Sequence, residues 1–274
     1  MAQNYWKIVE MKTWNETILN YEDISLNLEQ HPDTTPIIKR LDDGTARPKI
    51  IVGYLVYDQD CENPLKSCDG MGAIFSRHRH AESADHEGYG RAMGLRKYAD
   101  GSWGRPHRTS KSDPFAVLLD CYDHGGQVWA IANSDRSRNF PDQQWDVAHG
   151  AGVWVPDQCC REDIMARPKA ERRTRALEQA KQAVDVYNMW LGGECYGVVV
   201  EEFEVDLDFY AVRQDALCNS CWGYIGLDDT EDVLAEEIQR HVIQHIGYEA
   251  AEQEFQAAGH STAPALWNCN AAED

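Results

Sequence analysis

Basic side chains are nearly missing from the last third of this 274-residue chain. From Gln182 to Asp274 there are 19 acids and only two bases, Arg213 and Arg240, a net charge of -17. The first 181 residues are close to balance, with 27 acids and 24 bases, and the whole chain carries -20. A charge of that size repels nucleic acid and anionic membranes within a Debye length. Direct binding to DNA or RNA through a broad basic face is therefore not expected.

Long apolar runs are also lacking. No stretch approaches the roughly 18 apolar residues of a membrane span. Met1 to Glu10 reads MAQNYWKIVE, without the apolar run of a signal peptide. We expect a cytoplasmic protein with no membrane contact. The nine cysteines are odd in number and scattered, which fits reduced thiols. There is no Walker loop and no G-x-S-x-G elbow. Gly88-Tyr89-Gly90 followed by Gly94 misses the dinucleotide spacing by one residue, and no strand precedes it. No internal repeat or low-complexity block is visible.

Hydrophobic residues make up 43% of the chain, enough for a packed core. Lys49 to Tyr57 (KIIVGYLVY) is β-branched and apolar, the pattern of a buried strand. Phe115–Cys121 and Gln127–Ala132 read as strands around the turn Tyr122-Asp123-His124-Gly125-Gly126. Gly152–Val155, Tyr196–Val200 and Cys221–Leu227 are further short strands. From Pro168, Ala170, Leu177, Ala180, Val184, Tyr187 and Leu191 recur at helical spacing until Gly192-Gly193 stops them. Asp229 or Thr230 caps a last helix with Val233, Leu234, Ile238, Val242 and Ile246 as its apolar stripe. Clustered strands with tight turns and two long helices in the C-terminal half predict an α+β fold with a mostly antiparallel sheet. The expected layout is an N-terminal arm at 1–48 and one domain at 49–274. That domain holds an irregular loop at 61–112, rich in Arg and His. Within it, 76–112 carries eight bases against four acids.

The acids of the last third are grouped. Glu201, Glu202, Glu204, Asp206 and Asp208 follow a strand, and Asp228, Asp229, Glu231, Asp232, Glu236 and Glu237 surround the start of the last helix. The helix dipole favours acids in the first turn, but it does not account for more than ninety residues with two bases. Rows of carboxylates imitate duplex phosphates, spaced about 1.7 Å per charge along the axis. These eleven acids are the expected contact surface for a partner with a basic, nucleic-acid-binding face. The other reading is a solvated face that only aids solubility. A second copy of the chain is a further candidate partner, since the basic 76–112 segment complements the acidic third.

Other constellations carry less. Cys218, Cys221, His241 and His245 form a C-x2-C…H-x3-H set, but the gap before His241 exceeds that of a zinc finger. Cys61, Cys68, His78, His80 and His86 match no common metal spacing. Asp123, His124 and Asp146 offer an acid–base group for a metal-assisted hydrolase, and Cys221 a nucleophile, yet Asp and Gly also belong in turns on conformational grounds. We expect no cofactor, no bound metal, and binding rather than catalysis.

Several motifs stand in a distinctive order: Tyr122-Asp123-His124-Gly125, Trp145-Asp146, Gly152-Val153-Trp154-Val155-Pro156, Tyr187 to Trp190, Gly193-Glu194-Cys195-Tyr196-Gly197-Val198-Val199-Val200, and Ser220-Cys221-Trp222-Gly223-Tyr224. Over about residues 114–240 they resemble a widespread family of uncharacterised accessory proteins of bacteriophages and other mobile elements. The resemblance implies action on host machinery in the host cytoplasm. For an acidic member it implies DNA mimicry against restriction or CRISPR complexes. It supplies no catalytic residues. Trp145, Trp154 and Trp222 are expected as core anchors.

Overall fold

The structure, a computed structural model, describes residues 7–10, 37–42, 49–78, 80–106, 112–206 and 211–246. The fold is α+β, and all strand pairs within its sheets are antiparallel. The chain divides into two compact units, Met1–Cys61 with Cys195–Asp274, and Glu62–Glu194. These limits differ from the expected arm and single domain. The physical reason is that residues 62–194 build their own apolar core before the chain returns to the first sheet.

The first unit holds a five-stranded sheet in the order β1 (Lys7–Glu10), β2 (Ile37–Asp42), β3 (Lys49–Tyr57), β10 (Cys195–Asp206) and β11 (Ala211–Ile225). Both described parts of the expected arm are thus strands of this sheet. Helix α6 (Leu227–Ile246) covers one face. Strand alternation brings Ile51 and Leu55 of β3 and Val198 and Val200 of β10 to that face, where they meet Leu234, Ile238 and Val242. Burying each such side chain contributes about 1.5–3 kcal/mol. Gly53 sits beneath the helix, and a Cβ there would run into Ile238 and Leu234. The helix begins before its expected cap. Thr230 is buried inside the first turn, and its hydroxyl donates to the Gly226 carbonyl at 2.5 Å.

The second unit opens with α1 (Pro64–Ser67), β4 (Ala73–Ser76), α2 (His86–Ala92), β5 (Leu95–Lys97) and β6 (Trp103–Pro106), where an irregular loop was expected. A four-stranded sheet follows, β4–β9–β7–β8, from β7 (Val117–Asp123), β8 (Gln127–Ile131) and β9 (Val147–Val155). Between β8 and β9 lies α3 (Asp135–Arg138), and after β9 come α4 (Gln158–Ala166) and α5 (Arg172–Leu191). The α5 stripe Ala176, Ala180, Ala183, Val184 and Tyr187 packs on Trp129, Trp154, Leu119 and Cys121. Of the three expected tryptophan anchors only Trp154 is buried; Trp145 is 83% exposed and Trp222 51%. Trp129 takes the second core place.

Candidate functional site

Helix α6 begins right after Gly226, with Leu227 and Thr230 of its first turn facing the core and the acids of that turn facing outward. Asp228, Asp229, Glu231 and Asp232 are all exposed there, and no cation among the described residues pairs with them. Glu236 and Glu237 are half-buried one turn later, and Glu237 accepts from Arg240 at 2.5 Å. Four of the eleven acids are thus exposed together at the helix start.

The β10 acids behave differently. Glu201 is half-buried and accepts from the Tyr54 hydroxyl at 3.1 Å. Glu204 and Asp206 lie in β10, but their side chains fall outside the described residues, as does the whole of Asp208. Glu202 corrects the expectation outright, being only 1% exposed. It shares the parity of Val198 and Val200, so the pleat turns it under α6. There Glu202 Oε1 lies 3.0 Å from His241 Nδ1, and Lys49 Nζ lies 4.0 Å from Oε2. His241 Nε2 in turn meets Asn219 Nδ2 at 3.0 Å. Buried charge is tolerated when paired and hydrogen-bonded; His241 supplies the hydrogen bond to Oε1, and Lys49 stands at ion-pair distance from Oε2.

The same contacts bear on the zinc candidate. His241, a member of the expected zinc set, has both ring nitrogens engaged and is 2% exposed, so it presents no free nitrogen to a metal. The Cys218 and His245 side chains lie outside the described residues. Among the described residues no three His, Cys, Asp or Glu side chains gather as metal ligands. Cys221 is exposed beside Tyr224, whose hydroxyl is pushed up to about 12, first by its hydrogen bond with the thiol and then by burial. A cleft of about 230 Å³ lies here, between β11 (Asn219, Ser220, Cys221) and α6 (Glu237, Arg240), floored by Val198 and Val200.

In the second unit the end of β7 gathers histidines and carboxylates. His124 Nδ1 lies 2.9 Å from Asp146 Oδ2, and the ring stacks on Tyr122. Asp123 pairs instead with His78 at 3.5 Å. Asp120, 4% exposed, accepts from the Ser137 hydroxyl at 2.5 Å and the Gly150 N–H at 2.7 Å, with His149 Nδ1 at 3.5 Å. Burial raises its carboxyl, but these donors outweigh burial and hold it below the usual carboxylate range. Gly150 has φ +59° in the irregularity of β9 that aims its N–H at Asp120. Ser137 donates to the carboxylate rather than to a histidine, so no Ser–His–Asp relay is formed. The Asp120 cluster went unforeseen from sequence, where Asp120 looked like part of an apolar strand.

Comparison with protein-family models, with curated proteins and with solved structures returns no match.

Proposed function

We propose that this chain is an accessory protein of a bacteriophage or other mobile element. It binds a host nucleic-acid-binding defence complex, of restriction or CRISPR type, and inhibits it by occupying the nucleic-acid groove. The observation that carries this is the exposed turn Asp228, Asp229, Glu231 and Asp232, unanswered by any cation among the described residues. Four carboxylates in five residues at about 1.5 Å rise per residue give one charge per about 2 Å, close to the roughly 1.7 Å of a duplex. The sequence resemblance and the net charge of -17 beyond residue 181 support the same reading.

The test is capture of such a complex by tagged full-length protein, followed by displacement of its bound duplex. The account expects capture at low salt, loss at high salt, and loss on changing Asp228, Asp229 and Glu231 to Lys. Capture and displacement that survive those three changes would contradict it.

A second reading is favoured by the 2.9 Å His124–Asp146 contact, in which a carboxylate orients an imidazole that is 68% exposed. In that reading the pair acts as a general base in hydrolysis. Cleavage of an activated aryl ester that disappears in His124→Ala supports it; a rate no better than free imidazole rules it out.

A further inference from the structure

Strand β11 closes one side of the first sheet, and among the described residues β10 is its sole strand neighbour. Residues 219–223 of this edge are all exposed. No hydrogen bond among the described residues reaches the backbone of Asn219, Ser220 or Cys221 from the outer side. Edge strands are normally blunted by Lys, Pro or a covering element, and Cys218 to Tyr224 contains neither Lys nor Pro. The edge of the other sheet shows what covering looks like. There Asn188 of α5 accepts from the Trp129 N–H at 2.7 Å and donates to its carbonyl at 2.8 Å, occupying the backbone of β8.

Alongside the open edge runs the cleft of about 230 Å³ walled by α6. An open strand edge with a helix-walled cleft beside it is the geometry by which sheets take up an extended peptide. Main-chain bonds give affinity there, and alternate side chains enter the cleft. The helix wall also sets the charge of the occupant. At the cleft itself the helix presents Glu237 paired with Arg240; beyond it Asp229, Asp232 and Glu236, three and four residues apart on one stripe, make the neighbouring helix surface acidic.

We infer that β11 and α6 together accept an extended basic segment of a partner protein, added to the sheet as a further strand beside Asn219–Cys221. Alternate side chains enter the cleft beside Asn219 and Cys221, and cationic side chains face Asp229, Asp232 and Glu236. The inference rests on the reading that the partner is basic, and it adds a main-chain component that charge alone does not supply.

The probe is a fluorescein-labelled peptide of alternating Arg and Val, added to the full-length protein under reducing conditions. A second peptide of the same sequence is N-methylated at alternate residues, which removes strand pairing and keeps the charge. Strand addition predicts saturable binding of the first and at least about tenfold weaker binding of the second, since each lost main-chain bond is a substantial part of a tenfold step. It also predicts slowed hydrogen exchange at Asn219–Cys221 and loss of binding in Cys221→Phe, which fills the cleft from an exposed position. Equal binding of both peptides, abolished by Asp229→Lys with Asp232→Lys, overturns strand addition while leaving the acidic-surface reading intact. Failure of both peptides to bind overturns the inference. So does a concentration-dependent dimer lost in Cys221→Phe, which would make a second copy the occupant. The acidic-surface reading itself is decided separately, by the capture and displacement experiment.

Discussion

The two units use carboxylates in opposite ways. In the second unit, acids hold the chain together. Asp157 caps α4 through the Cys160 N–H at 2.8 Å and ties down Gly70 and Gly72 at 2.8 and 3.0 Å. Asp163 accepts from Arg175 and Gln179, and Asp113 from Arg161. In the first unit Glu202 meets His241, Glu201 accepts from Tyr54 and Asp58 from the Gly223 N–H, but the exposed acids Asp228, Asp229, Glu231 and Asp232 at the start of α6 pair with no cation among the described residues. The sheet edges repeat the contrast, with β8 covered by Asn188 and β11 open. Charge and backbone that do no structural work are free to serve binding, and they lie together on β11 and α6.

Substitutions can break this contrast, and the largest effect is expected in the second unit's core. Trp154→Ala removes a side chain with 0% exposure and its 2.8 Å bond to the Met71 carbonyl, and should cost about 3–5 kcal/mol in denaturant unfolding. Glu202→Ala comes next. It leaves His241 and Lys49 without their carboxylate and should cost about 3 kcal/mol, whereas Glu202→Gln, which still accepts from His241, should cost about 1 kcal/mol. A Glu202→Ala protein as stable as wild type would mean that this acid, too, is idle.

Asp157→Ala should cost about 1–2 kcal/mol, as the loss of a helix cap does. Burial raises the Asp157 carboxyl, but the N–H groups of Cys160, Gly72 and Gly70 outweigh burial and hold it below its ordinary value. A depressed folded pKa means the contribution is complete above the unfolded carboxyl value, near 3.9, and disappears as pH falls through the folded one. The difference between wild type and Asp157→Ala should therefore be constant from neutral pH to about 5 and vanish in acid. The smallest effect on stability is expected from neutralising Asp228, Asp229, Glu231 and Asp232 together. The melting temperature should barely move, because lost helix-dipole attraction is offset by relieved repulsion, while partner capture is lost.

Much of this was legible in the sequence, and the failures have physical causes. Lys49–Tyr57 reads as a strand and is one, because β-branched and aromatic residues dominate a run that is buried in the sheet. The α5 stripe was visible, but Pro168 stays outside the helix, which starts at Arg172. β10 runs on through Glu201, Glu202, Phe203, Glu204, Val205 and Asp206, and acids that are rare in strands hid that extension. Alternation from Val198 through Val200 to Glu202 did carry the signal that Glu202 faces inward. Trp145 and Trp222 looked like core because of their size, yet size does not decide which side of a strand or loop faces water. The open edge of β11 could not be read at all, since strand order is a tertiary fact.

The most direct test is the salt dependence of binding between the full-length protein and the proposed partner, a nucleic-acid-binding defence complex, measured for wild type and for the Asp228→Lys, Asp229→Lys, Glu231→Lys variant. The account predicts a steep fall of log affinity with log salt in the wild type and a much shallower slope with weak binding in the variant. Equal slopes and equal affinities in the two proteins would contradict it.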